Sequence, residues 1–194
     1  MKKFIALLMA AMMLLGCASA LAEDAATTLI GTTGLPFNVE VPEVEGTTVS
    51  YEEYEGTVYV TFGQYDENGI VNGPTYFLTM SASDETLLDG ANLSDATDEQ
   101  IEELFQAIAT EDGDYTYKVR DLDDGIRILY IVDNTLFDAA QVVTIKDGVF
   151  VNVQTWNVDF SPITDEMVEN CIKLMDALKF VEKEAPATTD APAA

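Results

Sequence analysis

Alternation of apolar and polar residues predicts that most of this chain forms β-strands. The first clear run is Phe37–Val41, which alternates strictly until Pro42 interrupts it. Another run, Thr75–Met80, follows a loop rich in Asn-Gly pairs, which favour turns. Strands of this kind place one side of a sheet against a core and leave the other side wet.

Two runs flank Glu55-Gly56 and predict a hairpin. If these two residues form the loop, Tyr54 pairs with Thr57 and the register of the whole hairpin follows. One face, expected to be core, then carries Val49, Tyr51, Val58, Val60 and Phe62, and the wetter face carries Ser50, Glu52, Tyr59 and Thr61.

Two more hairpins are predicted to turn at Asp-Gly pairs. One spans Tyr115–Val132 and turns at Asp124-Gly125, and the other spans Gln141–Val158 and turns at Asp147-Gly148. The stretch Ile126–Val132 is apolar at almost every position, so both faces of the sheet are expected to be covered at its centre.

Helical periodicity predicts two helices. The first covers Asp98–Thr110, where Thr97 and Gln100 fit a capping box. The second covers Asp165–Phe180 and begins after Thr164. The apolar stripes are Ile101, Leu104, Phe105 and Ile108 in the first helix, and Val168, Cys171, Ile172, Met175 and Leu178 in the second.

Two helices separated by four strands predict an α+β fold: an antiparallel sheet of about seven to eight strands with helices packed on it. The chain has an early strand at Phe37–Pro42, a middle helix, an Asp-Gly hairpin leading into Phe150–Val153 and a closing helix ending at Asp176–Phe180. This order of elements resembles the Mog1/PsbP-like α/β/α sandwich, particularly its small exported bacterial members. That family includes a Ran-binding protein and an extrinsic photosystem II subunit, but no residue here carries either activity across. The alternative is a cystatin-like or nuclear-transport-factor-like sheet, covered on one side only.

The first residues have the order of a secretory signal. Lys2 and Lys3 precede an apolar run, Phe4–Leu15, and small residues end at Ala20-Leu21-Ala22. The run is shorter than the roughly 20 residues that a membrane-spanning helix needs. Cleavage after Ala22 is expected, because the Ala-x-Ala site lies at the right distance from the apolar run. The alternative is lipidation of Cys17, because Leu14–Cys17 resembles a bacterial lipoprotein box.

Composition divides the remaining chain into three parts. Residues 23–34 are small and polar and predict a short linker, residues 35–182 predict a single globular domain, and residues 183–194 predict a disordered Ala/Pro/Thr tail. Because Cys171 is the only cysteine beyond the leader, no internal disulfide is expected.

Net charge excludes several classes of partner. The full chain carries 9 basic and 35 acidic residues, a formal charge of −26, and loss of Lys2 and Lys3 takes it to −28. So negative a surface repels phosphate backbones and anionic lipid headgroups. Nucleic acid is therefore not expected as a partner, and membrane attachment is expected only through a lipid anchor at Cys17.

The absence of histidine limits the chemistry further. No Ser-His-Asp, Cys-His or histidine-containing zinc site can form. Cys171 lies on the apolar stripe of the second helix, where a buried hydrophobic role is expected for it. No cofactor and no catalytic residue is predicted.

Carboxylates leave two alternatives open. Paired acids can hydrolyse a glycosidic bond, but Asp66, Glu67, Asp123 and Asp124 all lie in predicted turns, where such residues are common for conformational reasons. The same loops are rich in oxygen and predict at most weak calcium binding, because neither has the ligand spacing of a helix-loop-helix site.

Two groups of residues remain as candidate contact surfaces. Lys118, Arg120 and Arg127 are predicted to share one face of their hairpin, where they either receive a carboxylate from a ligand or pair with the chain's own acids. The other group is aromatic: Tyr54 and Tyr59 on the polar face of the first hairpin, and Trp156 near the end of the last strand. Exposed Tyr and Trp stack on sugars or anchor protein partners, whereas packing within the sheet is the alternative role.

These observations predict an exported, non-catalytic binding or interaction domain of a bacterial cell envelope or secreted protein, with a protein or small ligand outside the cytoplasm as its partner. A small extracellular hydrolase using paired carboxylates and a calcium-stabilised envelope protein are the alternatives.

Overall fold

The computed structural model describes residues 27–44, 46–109, 115–133, 139–157 and 161–183. In these ranges ten strands and two α-helices follow one another. They are β1 (Thr27–Ile30), β2 (Phe37–Pro42), β3 (Thr48–Tyr54), β4 (Thr57–Gly63), β5 (Thr75–Ala82), α1 (Asp98–Ile108), β6 (Tyr115–Asp121), β7 (Arg127–Asp133), β8 (Ala139–Lys146), β9 (Val149–Trp156), α2 (Asp165–Ala177) and β10 (Lys179–Glu182). Two 3₁₀ turns, Leu87–Gly90 and Leu93–Asp95, lie before α1.

Seven strands form one antiparallel sheet in the order β3-β4-β5-β9-β8-β7-β6. Two of its hairpins close through the predicted two-residue loops, because Tyr54 pairs with Thr57 and Lys146 pairs with Val149. Both residues of each loop have positive φ, 50° and 78° at Glu55-Gly56 and 51° and 72° at Asp147-Gly148. This conformation matches the twist of the flanking strands, so these two predictions are confirmed.

The hairpin between β6 and β7 turns differently from the prediction. Asp121 pairs with Arg127, and the Leu122 N–H donates to the carbonyl oxygen of Ile126 at 2.8 Å. The loop therefore contains three residues, Asp123–Gly125, with Gly125 at φ 74°. The predicted two-residue turn at Asp124-Gly125 is wrong by one residue, and such a slip reverses the faces on which the two strands' side chains meet.

The capping box predicted for α1 is present. The Gln100 N–H donates to Thr97 Oγ1 at 3.3 Å, and the Thr97 N–H donates to Gln100 Oε1 at 3.0 Å. Helix α2 begins after Thr164 as predicted, and the Met167 N–H donates to Thr164 Oγ1 at 3.3 Å. Each cap accepts a hydrogen bond from a backbone N–H group that has no carbonyl partner within the first turn of its helix.

The end of the second helix is a correction. Helix α2 stops at Ala177 rather than at Phe180, and Lys179–Glu182 forms β10, which pairs with β2. The ring of Phe180 meets that of Phe37 edge-on, with centroids 5.0 Å apart. Residues of β2, more than a hundred positions earlier in the sequence, thus draw this segment out of the helix.

A second, three-stranded sheet has the order β1-β2-β10. Strand β1 lies inside residues 23–34, so the predicted linker is wrong from Thr27 onward: Ile30 is fully buried in the core. At the other end Lys183, predicted to begin the tail, donates from Nζ to the carbonyl oxygens of Thr32 and Leu35, the latter at 2.7 Å. The predicted leader, Cys17 and residues 184–194 lie outside the described residues.

Both faces of the large sheet are covered at its centre, as predicted. Helix α2 and the small sheet pack on one face, over β4, β5, β9, β8 and β7. Helix α1 and the 3₁₀ turns pack on the other face, over β7 and β8. Adjacent residues of β7, Ile128 and Leu129, point to opposite faces and both are fully buried. The chain is therefore an α+β sandwich, and the one-sided alternative is wrong.

The edge strand β3 is less covered than predicted. Val58, Val60 and Phe62 on β4 are buried, but Tyr51 of β3, expected on the same core face, is 55% exposed. Val49, near the start of β3, packs against the core under α2 and the small sheet, and the other sheet residues of that core come from β4, β5, β7, β8 and β9. In the described ranges neither helix has the length and apolarity to cross a membrane.

Substitution of the α1 cap tests the local account of the fold. We expect Thr97→Ala to lower the free energy of unfolding by about 1 kcal/mol, because the side-chain half of the capping box is lost. Thr97→Ser keeps the hydroxyl and should retain most of that stability. Urea denaturation followed by circular dichroism measures both, and equal losses in the two variants would contradict the role of the cap.

Candidate functional site

The three cations predicted to share a face do not do so. The one-residue change in the β6–β7 register places Lys118 and Arg120 on the face covered by α2, beside Tyr130 and Ile128 respectively. Arg127 lies on the opposite face, on the side of α1. The predicted cationic contact surface is therefore not assembled.

Two of these cations pair with carboxylates of the chain itself. Arg120 donates from both terminal nitrogens to Glu169 of α2, each at 3.2 Å, and Arg127 donates from Nε to Asp121 Oδ1 at 2.7 Å. The guanidinium of Arg127 lowers the pKa of Asp121 mainly through this hydrogen bond. The alternative role that the sequence left open, pairing with the chain's own acids, is the one observed for Arg120 and Arg127, although the partner of Arg120 lies on α2 rather than along the sheet edge.

A shallow depression of about 510 Å³ lies between α1 and the β6–β7 edge. Its lining includes the Arg127–Asp121 pair and residues of both elements: Asp98, Ile101, Tyr117, Val119, Arg120, Asp121 and Arg127. Because the guanidinium of Arg127 is already held by Asp121, a ligand carboxylate would have to displace that partner to bind there.

Among the described residues, two of the groups considered for catalysis, Cys171 and Asp66, have structural roles. Cys171 is fully buried, and burial raises the pKa of its thiol to about 12, which disfavours the thiolate that a nucleophile requires. Four carboxyl groups have a perturbed pKa, and hydrogen bonds lower it in every case, whereas a general acid needs a raised pKa. These groups are Asp66, Asp84, Glu102 and Asp121.

The loop considered for calcium is held by its own carboxylate. Asp66 Oδ1 accepts from the backbone N–H groups of Asn68 at 2.8 Å and Ile70 at 2.9 Å. An Asp in this arrangement stabilises a turn. Within the ranges that the structure describes, no cluster of three or more Asp, Glu, Cys or His side chains has a geometry that could hold a metal ion.

The aromatic candidates, by contrast, lie together. Tyr54, Tyr59 and Trp156 all point to the α1 side of the large sheet, and Phe77 of β5 lies between Tyr59 and Trp156 on the same side. Thr75 pairs with Trp156, Thr61 with Phe77 and Glu52 with Tyr59. Each aromatic residue is thus one strand and two residues from the next.

We call this line, Trp156-Phe77-Tyr59-Tyr54, the aromatic diagonal. Diagonal neighbours on one sheet face are about 7 to 8 Å apart, within reach of aromatic side chains. The rings of Phe77 and Trp156 stack in parallel with centroids 4.3 Å apart. Tyr54 is 61% exposed, and the other three residues are partly exposed.

The α1 side of β3, β4, β5 and β9, which we call the aromatic face, differs sharply from the rest of the sheet. The sheet residues that pack under α1 come from β6 to β8 and from Phe150 at the far end of β9. Beside the diagonal the face carries hydroxyl and amide side chains. By strand register these are Thr48, Ser50, Thr57, Thr61, Thr75, Thr79, Ser81, Asn152 and Gln154.

Two of these polar side chains are buried without a partner. Thr75 and Asn152 are each 7% exposed, and in the described part of the chain neither Thr75 Oγ1 nor Asn152 Oδ1 has a hydrogen-bond partner. Buried polar atoms are nearly always paired in folded proteins, and an unpaired one calls for a specific explanation. Both atoms belong to residues that point to the aromatic face.

The sequence indicates three of the four aromatic residues of this surface and the polar residues of its first hairpin, but not the members that β5 and β9 bring together. Tyr54 and Tyr59 were placed on one face by their hairpin, but Phe77 and Asn152 were not singled out. The position of Phe77 beside Trp156, and that of Asn152 beside Thr79, depend on the pairing of β5 with β9, which are separated by more than sixty residues. The alternation of Phe77 with buried Leu78 was a signal for its face, though not for its neighbours.

Comparison of the sequence with models of protein families and with curated proteins finds no match in either. The resemblance to the Mog1/PsbP-like sandwich therefore stays a prediction.

The Arg127–Asp121 pair gives a prediction about pH. Since the pKa of Asp121 is lowered in the folded state, its contribution to stability is present above the unfolded pKa of about 3.9 and is lost as pH falls through the folded value. Arg127→Gln should raise the pKa of Asp121 toward about 3.9. A carboxyl-carbon NMR titration measures the shift.

Lys118→Gln is the matched control for this titration, because it removes a positive charge from the same edge hairpin but on the opposite face. An unchanged pKa of Asp121 in Arg127→Gln, or an equal change in Lys118→Gln, would contradict the assignment of the shift to the Arg127 hydrogen bond.

Proposed function

We propose that this chain is exported and acts outside the cytoplasm as a non-catalytic binding domain whose binding surface is the aromatic face. The leader pattern of residues 1–22 supports export, with Cys17 as the site of a lipid anchor if the lipoprotein box is used instead. The bacterial cell envelope or the medium around it is then where the partner is found.

The observation that carries the proposal is the aromatic diagonal. One Trp, one Phe and two Tyr are aligned across four neighbouring strands, and exposure of the sheet face to solvent does not by itself account for this alignment. Partly exposed aromatic side chains combine a large apolar surface with little conformational entropy to lose, and for this reason they dominate recognition surfaces. Tyr54, with 61% of its surface exposed, is the member most accessible to a partner.

The titratable groups support a binding role rather than hydrolysis. The perturbed carboxyl groups are held as hydrogen-bond acceptors with lowered pKa values, and Cys171 is buried as a thiol. Arg120 and Arg127 are paired with Glu169 and Asp121, so the aromatic face replaces the cationic residues as the proposed contact surface. The formal charge of −26 argues against nucleic acid as the partner.

The compartment is tested by the mass of the exported protein. We expect the intact mass to correspond to a chain that begins at Glu23, because signal peptidase cleaves after Ala-x-Ala. A diacylglyceryl mass increment on a chain beginning at Cys17 would indicate membrane attachment instead. Recovery of an uncleaved chain from the cytosol would contradict export.

The binding surface is tested with two tyrosines of the same strand. Tyr54 and Tyr51 are similarly exposed, at 61% and 55%, but point to opposite faces of β3. We expect the protein to co-sediment with envelope material from the producing cell, and Tyr54→Ala to weaken this binding about fivefold or more, as loss of an aromatic anchor does.

Tyr51→Ala should bind like the wild-type protein, since it leaves the aromatic face intact. Equal loss in both variants, or no retention of the wild-type protein on envelope material, would contradict the proposed function. Thermal melts of the three proteins show whether each is folded.

A further inference from the structure

The chemistry of the aromatic face identifies a class of ligand. We propose that this face binds a neutral oligosaccharide or polysaccharide, an inference that rests on the proposed function and adds the ligand class to it. The two components that a sugar requires, flat aromatic surface and neutral hydrogen-bonding groups, lie side by side on the same strands.

The aromatic diagonal supplies the flat surface. The π-face of an aromatic ring is electron-rich, and it attracts the polarised C–H groups that a pyranose ring presents on its flat side. The backbone positions of the diagonal are about 7 to 8 Å apart at each of the three steps from Trp156 to Tyr54. The rings of Trp156 and Phe77 lie closer, stacked with centroids 4.3 Å apart. An extended chain of several sugar units therefore fits the line better than a single small molecule does.

The residues beside the diagonal supply the hydrogen bonds. Thr61 lies two residues from Tyr59 on β4, and Thr79 lies two residues from Phe77 on β5. Gln154 is paired with Phe77 across the β5–β9 ladder. Hydroxyl and amide side chains both donate and accept hydrogen bonds, as sugar hydroxyls do. Each of these side chains can therefore act as donor or as acceptor toward a sugar hydroxyl. Aliphatic side chains, which a protein partner's apolar core would need, are missing from these strand positions.

The unpartnered atoms point in the same direction. Asn152 Oδ1 and Thr75 Oγ1 are buried without a partner on this face, at positions paired with Thr79 and Trp156 respectively. A buried acceptor left without a donor is costly, and a ligand hydroxyl that reached it would recover that cost. Their neighbours must shift to admit the hydroxyl, so binding is expected to change the surroundings of Trp156.

Charge distinguishes a neutral glycan from other polymers. Glu52 is the one charged residue among the β3, β4, β5 and β9 positions of the aromatic face, and Glu55 in the adjoining loop accepts a hydrogen bond from the Tyr54 hydroxyl. Charge is therefore confined to the Tyr54 end of the face, although the chain carries 35 acidic and 9 basic residues. An anionic polymer would meet no cation on this face, and a basic peptide would find more carboxylates elsewhere. A ligand without charge is the complement of a face almost without charge.

The deciding experiment treats envelope material from the producing cell before the sedimentation assay. Periodate cleaves the vicinal diols of sugars, and protease removes proteins. We expect periodate to abolish binding of the wild-type protein and protease to leave it within twofold. If protease abolishes binding and periodate does not, the partner is a protein. That result would overturn the inference and leave the proposed function standing. Failure of untreated material to bind would overturn both.

Direct titration identifies the sugar. Trp156 is the only tryptophan of the chain, so its emission reports on the aromatic face alone. We titrate the exported protein with cellohexaose, mannohexaose and xylohexaose, whose internal units carry the vicinal diols that periodate cleaves, and expect a saturable change with at least one of them. Tyr54→Ala should weaken that binding about fivefold or more, and Tyr51→Ala should leave it within twofold.

Asn152→Leu separates a ligand role from a structural one. It replaces the amide, whose oxygen is buried without a partner among the described residues, by an apolar group of similar size, so the melting temperature should not fall. Binding of the same hexasaccharide should nevertheless weaken several-fold, because the acceptor is gone. Unchanged binding in a folded Asn152→Leu protein would overturn the assignment of Asn152 to the sugar site.

Discussion

The pairing of β5 with β9 is the contact on which the architecture depends. Every other neighbouring pair in the seven-stranded sheet is consecutive in the chain, so β3-β4-β5 and β6-β7-β8-β9 are two meanders that meet only along this ladder. Thr155 Oγ1 donates to the carbonyl oxygen of Thr75 at 2.9 Å across the junction. Because side chains alternate strictly, the register of this one ladder sets which residues of the two meanders become neighbours on each face.

The two faces created by that junction have different physical roles. On the side of α2, β5 and β9 contribute Leu78, Met80, Val151 and Val153, all fully buried, and this side supplies the main hydrophobic core. On the other side the same strands carry rings, hydroxyls and amides. Strands β3, β4 and β5 are stabilised through the face toward α2, and their opposite face contributes no residue to the core under α1, which covers the second meander.

The distribution of charge follows the same division. The arginines of the β6–β7 hairpin contact carboxylates of their own chain, Glu169 and Asp121, and such exposed pairs contribute little stability. Their effect is to neutralise local acid rather than to form a docking surface. The aromatic face has almost no charge of either sign, so on a chain of formal charge −26 it is distinguished by what it lacks as well as by its rings.

The sequence by itself determined the features whose causes are local. The positive-φ turns at Glu55-Gly56 and Asp147-Gly148, the Thr97 capping box and the faces of Tyr54 and Tyr59 all depend on residues within a few positions of one another. Tertiary structure decided the rest. Phe180 lies in a strand rather than in the helix because its segment pairs with β2, and β1 forms within the predicted linker because it also pairs with β2. Trp156 lies beside Phe77 because β9 pairs with β5. A local pattern shows which way a side chain points, but its neighbours come from strands that are distant in the chain and meet only in the folded molecule.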